Sequence, residues 1–369
     1  MSLSSPPESE APVDLLGLNA EQLLERLAPL VDQPYRAQQV YQAIYRHGLT
    51  DFAAMTTLPK PLRERLAEQF CIGLPVADEV VTSDDGTRKL LLRMLDGVAV
   101  EAVDIPTPRR RTLCISSQAG CALGCTFCVT GYWGAGRNLT SGEIVGQVLA
   151  ILGKLPYGAE SVNIVLMGMG EPMHNLGSVR PALEILAEAI SWRRMTLSTV
   201  GVVDGIREMA NWENRPNLAV SLHAPDDARR DRIMPINRTH PLEELFETLA
   251  EYPLERGRRI TFEYLMIRDF NDRLEDASAL ADRVLRLASK VNLIPLNPDP
   301  VLGAEMLPSS PGQVERFAQR LRQRGVTTTV RRQRGDDVSA ACGQLRIPGR
   351  EPRGFRRSGW VDSALQSEE

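Results

Sequence analysis

Three thiols lie within the eight residues of Cys121-Ala-Leu-Gly-Cys125-Thr-Phe-Cys128. Thiolates at that spacing can converge on one inorganic centre, and their number matters. A structural zinc site is normally closed by four protein ligands, whereas an iron–sulfur cube held by three cysteines leaves one iron open to a substrate or cofactor. A zinc knuckle completed by Cys114, His223 or Cys342, or a cluster of small buried thiols acting as hydrophobes, is the alternative on spacing alone. A second reactive position is Glu101. In Val98-Ala-Val-Glu101-Ala-Val-Asp-Ile105 the period of two sets it on the face of Ala99, Val103 and Ile105. A carboxylate on a buried apolar face has its pKa raised by desolvation, which suits proton transfer, while an exposed edge-strand glutamate is the plainer alternative.

The elements that must position these groups follow from periodicity. From about Arg111, β-rich runs at 112–116, 162–167, 195–199, 217–222, 260–266 and 291–296 alternate with helical stretches. Six βα units predict a parallel sheet, either doubly wound or closed into a partial barrel. Directly after the strands come the cysteine loop, Gly168-Met-Gly170-Glu171-Pro172, Ser198-Thr-Val-Gly201, Ser221-Leu222-His223-Ala-Pro225 and Asn297-Pro298. That rim, the carboxyl ends of parallel strands, is where α/β folds bind ligands. Gly168 and Gly170 allow close backbone approach, and Glu171 can accept from an ammonium or hydroxyl. Ser198, Ser221, His223 and Asn297 are suited to hydrogen-bonding a ribose, a carboxylate or an adenine edge, and each taken singly could equally be a cap or turn residue.

Upstream, residues 1–13 read as a disordered leader and the helical pattern begins at Asp14, with Leu23, Leu24, Leu27 and Leu30 on one face and a third helix from Pro61 to Phe70. A hairpin turning at Asp84-Asp85-Gly86 follows. The expected organisation is a leader (1–13), a helical accessory domain (14–75), a β-hairpin extension carrying Glu101 (76–106), the α/β core (107–345) and a basic tail (346–369).

Composition bounds the rest. The chain of 369 residues is 43% hydrophobic with a net charge of −4, so bulk charge does not announce a nucleic-acid partner. Of 43 basic residues only Lys60, Lys89, Lys154 and Lys290 are lysine, and arginines cluster at 109–111, 256–259, 331–334 and 353–357. Arginine suits bidentate phosphate contacts and stacking on bases. No apolar run approaches the roughly 20 residues of a membrane span, no signal-peptide pattern opens the chain, and the six cysteines form no disulfide framework. A cytoplasmic protein is expected.

Taken together, Cys114-Ile-Ser-Ser-Gln-Ala-Gly-Cys121 continuing to Cys128, Arg137-Asn138-Leu139-Thr140, Gly168-Met-Gly-Glu-Pro172, Ser221-Leu-His-Ala-Pro225 and Arg334-Gly-Asp-Asp-Val-Ser-Ala-Ala-Cys342-Gly-Gln-Leu345 resemble the RlmN/Cfr family of radical S-adenosylmethionine (SAM) enzymes, which methylate an adenine of 23S ribosomal RNA. The likeness extends over nearly the whole chain. It implies a partial (β/α)6 barrel with a small N-terminal helical domain. It further implies one [4Fe-4S] cluster on Cys121, Cys125 and Cys128, and SAM bound by Gly170, Glu171, Ser198, Ser221, Leu222, His223 and Asn297.

In such enzymes a methyl group is first placed on the cysteine corresponding to Cys342. A second SAM, cleaved reductively, yields a deoxyadenosyl radical that takes hydrogen from this S-methyl group, and the carbon radical adds to the adenine. The resemblance gives Glu101 the role of base for the C2 proton, and Cys114 that of the thiol that forms a disulfide with Cys342 on release. The product it implies is C2-methyladenosine at adenine 2503 of 23S rRNA and at adenine 37 of some tRNAs, with methylation at C8 as the nearest rival. An electron donor such as flavodoxin or ferredoxin and a monomeric state are implied as well. Ala135, Val129 and Val200 depart from the family's usual residues, and none is a proposed ligand. A non-enzymatic RNA-binding protein with a structural zinc or inert cluster is the alternative of a different class.

Overall fold

The computed structural model describes residues 12–157, 161–303, 306–331, 334–335, 337–340 and 343–346. Cys342, residues 1–11 and the tail beyond Arg346 lie outside the described residues.

Two antiparallel and parallel halves share one ten-stranded sheet. The antiparallel half is a meander of β3 (Val76–Thr82), β4 (Arg88–Arg93) and β5 (Ala99–Thr107), numbered after the two short strands described below. Its first turn closes where expected, with Ser83 N donating to Thr87 O at 2.8 Å and Gly86 at φ +81°. β5 then pairs antiparallel with β6 (Arg110–Cys114), which opens the parallel half. β7 (Val162–Leu166), β8 (Met195–Thr199), β9 (Asn217–Ser221), β10 (Ile260–Met266), β11 (Ser289–Pro295) and β12 (Thr328–Val330) follow in chain order.

Chain order decides between the two architectures left open by periodicity. Crossovers between parallel strands are right-handed, so strands added always on the same side carry their helices to one face and leave the other to curl round an interior. A doubly wound sheet needs a reversal of strand order, and none occurs from β6 to β12. The result is a partial barrel, open because β12 is the sheet's last strand while the far side of β6 is taken by β5. The strand β12 is an addition to the six runs read from sequence; its Thr328-Thr-Val330 is too short to show a period. The first parallel strand also ends at Cys114 rather than Ser116.

The crossover helices are α4 (Val129–Trp133), α5 (Ser141–Leu152), α6 (Leu176–Ala187), α7 (Val203–Ala210), α8 (Asp227–Ile233), α9 (Leu242–Glu251), α10 (Leu274–Val284) and α11 (Pro311–Gln323), preceded in the chain by α1 to α3. Arg137-Asn138-Leu139-Thr140 is accounted for structurally. Thr140 Oγ1 accepts from Glu143 N at 3.1 Å and Glu143 Oε2 accepts from Thr140 N at 2.9 Å, a capping box that starts α5. Arg137 pairs with Asp96 and Glu143.

The N-terminal segment corrects one boundary. Val13–Asp14 is a strand, β1, pairing in parallel with β2 (Phe70–Cys71), and helix begins only at Ala20. Asn19 fixes that start, its side chain accepting from Gln22 N at 2.9 Å. Helices α1 (Ala20–Leu27), α2 (Pro34–Tyr45) and α3 (Lys60–Gln69) bury Leu23, Leu27, Val40, Ile44 and Leu66. They dock on the core through glycine. A Cβ on Gly17 would stand 2.1 Å from Gly142 N in the first turn of α5, and Gly17 has φ +88°. Gly17 O accepts from Ser141 Oγ at 3.0 Å and its N–H donates to the Tyr45 hydroxyl at 2.9 Å.

Candidate active site

The three clustered thiols share one wall of a cavity of about 150 Å³ at the carboxyl ends of the parallel strands. Their loop is pinned by main-chain contacts. Cys121 N donates to Gly134 O (2.9 Å), Thr126 N to Ile233 O at the end of α8 (3.0 Å), and Cys128 N to Cys125 O (3.1 Å). Burial, with the neighbouring Cys128, pushes the Cys121 thiol up to about 12, and burial, with Cys128 and Cys121, pushes the Cys125 thiol well above its ordinary value. Thiolates that repel in a dry site are a donor set for a positively charged core, whose binding would release their protons. Among the described residues, no three His, Cys, Asp or Glu side chains are placed to hold a single metal ion. Of the zinc partners that spacing offers, His223 has its Nδ1 accepting from Leu265 N at 3.1 Å and Cys114 does not line the cavity, while Cys342 lies outside the described residues.

The facing wall is built from the turns after β7, β8 and β9. Gly170 has φ +97°, and a Cβ there would meet Gln118 Cβ at 2.5 Å, so only glycine lets this turn close against the cysteine loop. Glu171 is 2% exposed. Its two carboxylate oxygens accept from Met173 N at 3.0 Å and Val200 N at 2.9 Å, clipping the turns after β7 and β8 together. Burial pushes its pKa up to about 7 against those hydrogen bonds. Val200 acts here through its main chain, as does Val129, whose N–H donates to Gly343 O at 2.6 Å. The departures from family pattern at these two positions therefore leave both contacts intact.

Gly170, Glu171, Ser198, Ser221 and His223 all reach the cavity. Leu222 and Asn297 do not: Leu222 is fully buried beneath the rim with its N–H donating to Glu263 O at 3.0 Å, and Asn297 is 5% exposed after β11. Two charged cavity residues escaped the sequence reading as site residues. Glu263, 6% exposed on β10, accepts from Asn292 Nδ2 at 2.7 Å, and Arg331 follows β12. Glu263 carried the signal that singled out Glu101, a lone acid in an apolar strand, Ile260-Thr-Phe-Glu-Tyr-Leu-Met266. Arg331 was visible only as part of an arginine run.

Glu101 is buried, as its pattern predicts, but lies behind the cavity rather than on its wall. Oε1 is 3.1 Å from Lys89 Nζ and Oε2 accepts from Arg346 N at 2.7 Å. Burial raises its pKa while Lys89 and Arg346 pull it down. Cys114 is buried on the neighbouring strand, opposite Val103 in register. Gly343, the residue after Cys342, lines the cavity beside Phe127 and Cys128, and Thr130 Oγ1 donates to Leu345 O at 2.7 Å. The arginine clusters divide. Arg111 is tied to the buried carboxylate of Asp104 at 2.6 Å and Arg258 to Glu255 at 3.1 Å, whereas Arg109, Arg110, Arg256 and Arg259 are exposed.

His223 supplies a pH test. It sits at φ +58°, an uncommon region for a non-glycine residue, with its ring edge-on to Phe127 at 4.6 Å. Burial pushes its pKa down to about 3 from 6.5, so it is neutral in the fold and its stabilising share is complete above about pH 6.5 and lost as pH falls toward 3. At pH 5 that loss is about 2 kcal/mol. His223→Asn keeps a side-chain acceptor and tolerates positive φ, so urea unfolding of the metal-free protein should lose about 2 kcal/mol less between pH 7 and 5 than wild type. Glu171 acts in the opposite direction, and equally in both proteins.

A partial parallel barrel with three clustered thiols and a polar rim on one cavity defines the radical SAM class. Residues 115–281 match the Radical SAM superfamily model, and residues 13–72 match the model described as the ribosomal RNA large subunit methyltransferase N-terminal domain. The crystal structure of a radical SAM methyltransferase from Sphaerobacter thermophilus superposes with a TM-score of 0.85 at 43% identity, covering 91% of this chain and 99% of that one. The dual-specificity RNA methyltransferase RlmN of Halorhodospira halophila is 47% identical over 339 residues, 90% of this chain and 93% of its own. That of Rhodospirillum rubrum is 48% identical over 352 residues, 92% and 82% of the two chains. The chain belongs to the RlmN family of radical SAM RNA methyltransferases.

Proposed function

We propose that this enzyme methylates C2 of adenine in 23S rRNA, at adenine 2503 of the peptidyl transferase centre, and C2 of adenine 37 in some tRNAs, through an S-methylcysteine at Cys342. The observation that carries the reading is the course of residues 343–346. Gly343 stands at the wall with the cluster cysteines, and Arg346, three residues on, holds Glu101 through its main chain. The segment adjoining Cys342 thus bridges the thiol cluster and a buried carboxylate. The dual-specificity RlmN proteins above support both classes of RNA substrate.

Cys121, Cys125 and Cys128 hold the [4Fe-4S] cluster in this reading, and Gly170, Glu171, Ser198, Ser221 and His223 bind SAM, with Leu222 and Asn297 behind them. Bound there, cluster and SAM supply a deoxyadenosyl radical by one-electron cleavage of the sulfonium. A radical route is needed because C2 of adenine is too poor a nucleophile to attack a methylsulfonium directly. Cys342 carries the methyl group as a thioether. Glu101, kept from full neutralisation by Lys89, takes the C2 proton once the carbon is bonded. The Cys114 thiolate attacks Cys342 sulfur, so that the S–S bond forms as the S–CH2 bond breaks and the departing carbon takes a proton to become the methyl group; an external thiol reductant then restores both cysteines. The exposed arginines contact phosphates while the target base is unstacked into the cavity, at a cost of a few kcal/mol. The enzyme acts as a cytoplasmic monomer supplied with electrons by a flavodoxin or ferredoxin.

The test is product analysis. Anaerobically reconstituted protein is incubated with SAM, a reductant and a 23S rRNA fragment, and the digested RNA is compared by mass spectrometry with C2- and C8-methyladenosine standards. C2-methyladenosine is the expected result. The C8 isomer would overturn the regiochemistry, and SAM cleavage without RNA methylation would overturn the substrate.

A further inference from the structure

Arg230, on α8, is the bulkiest of the fully buried side chains among the described residues. A guanidinium in that position normally has a carboxylate against it, because an uncompensated buried charge costs several kcal/mol. Here no carboxylate lies within ion-pair distance among the described residues. Its partners are neutral: Leu222 O at 3.2 Å, Ser221 O at 3.2 Å, Val200 O at 2.5 Å and Asn237 Oδ1 at 2.6 Å. Asp227 and Asp231 are one residue further off, each accepting from Asn237 Nδ2, at 2.9 and 2.6 Å.

What Arg230 stands behind is the cysteine loop. Its helix ends at Ile233, whose carbonyl accepts from Thr126 N, between Cys125 and Cys128. Burial pulls the Arg230 pKa down to about 10 and a Cys125 thiolate would push it back up, while the carbonyls that Arg230 gathers belong to the turns carrying Ser221 and Glu171's partner Val200. A cluster bound by three thiolates is net negative and gains one more negative charge on reduction. Asp227 and Asp231 act on the buried cation from beyond Asn237, and a filled thiol site would add the further negative charge that it lacks at ion-pair distance.

We propose that Arg230 is the built-in counter-cation of the iron–sulfur cluster, a positioning residue that raises the cluster's reduction potential by stabilising the reduced state. The proposal rests on the assignment of the cluster to Cys121, Cys125 and Cys128. Charge is the operative property. A residue that merely tied three carbonyls together would leave the potential unchanged when replaced.

The measurement is a redox titration of the reconstituted full chain without RNA, followed by electron paramagnetic resonance of the reduced cluster, with iron content determined in parallel. Arg230→Gln retains some of the carbonyl ties, and Arg230→Met fills the space without a charge, so whichever neutral variant folds serves. In either, the ratio of reduced to oxidised cluster at a fixed potential should fall about tenfold, a shift of about 59 mV for one electron. Arg230→Lys, which keeps the charge and loses the planar fork, should stay within about twofold of wild type. An unmoved potential in a folded, loaded neutral variant overturns the proposal, as does a Lys variant that shifts as far as Gln. Wild-type protein that takes up no reducible cluster sinks the cluster assignment instead, so the two failures are distinguishable.

Discussion

Cys128→Ala protein, prepared anaerobically and supplied with iron and sulfide, should lose its reducible cluster and methylate RNA at least about 10⁴-fold more slowly than wild type. The size of the effect follows from the number of ligands. With three donors, loss of one leaves a cube with two open irons, and no other thiol lines this wall among the described residues. The fold should survive. Cys128 immediately precedes α4, lines the cavity and is only partly buried against the core, so the change removes one atom at the edge of the packing rather than from its interior. Iron and sulfide analysis, the electron paramagnetic resonance signal and methyl transfer to RNA are read on one preparation. Full cluster occupancy in the variant would exclude Cys128 as a ligand. Cys71→Ala, at the end of the accessory segment, should change none of these.

Glu101→Gln should leave cluster and SAM cleavage intact and stall the enzyme later, with protein covalently attached to RNA. Resolution of that adduct should slow by about 10²–10⁴, the usual share of a general base. Glutamine can still accept from Arg346 N, so the tie to the C-terminal segment persists, but the amide cannot take a proton. The adduct is read as a slow band on a denaturing gel that also needs Cys342. In wild type, adduct resolution should rise with pH through a pKa above the ordinary glutamate value. Burial of Glu101 outweighs the pull of Lys89 and Arg346, and only the ionised form is a base. Turnover of the Gln variant at the wild-type rate would remove Glu101 from the mechanism.

What could be read in the sequence was whatever depended on periodicity and on spacing. The parallel strands announced themselves because each is a short apolar run ended by a turn. Their shared rim then brought Gly170, Glu171, Ser198, Ser221 and His223 to one cavity with the three cysteines. Glu101 was found by alternation, and its burial agrees, although β5 turns out to be covered on both faces, with Val100 and Ala102 fully buried as well. The misses have physical causes. β12 is three residues long and has no period to detect. The helical start was placed too early because Leu15 and Leu16 are apolar for another reason, the packing of a two-residue strand against Phe70–Cys71. Arg230 could not be distinguished from its neighbour Arg229, which is salt-bridged to Asp226 and Asp276. Which of two adjacent arginines goes inside depends on the turns of β8 and β9, and the first of these lies thirty residues away in the chain.

The strand order carries a consequence for how the molecule is made. From β4 to β12 every strand pairs with the one translated just before it, so the sheet can be laid down in order as the chain leaves the ribosome, with no strand edge waiting for a partner far downstream. Residues 343–346 break that rule. They follow β12 in the chain and reach back to Val129, Thr130, Pro298 and Glu101, loops and strands made before them. The three thiols are thus in the nascent chain about two hundred residues before Gly343, which completes their cavity wall only after the whole sheet has been made.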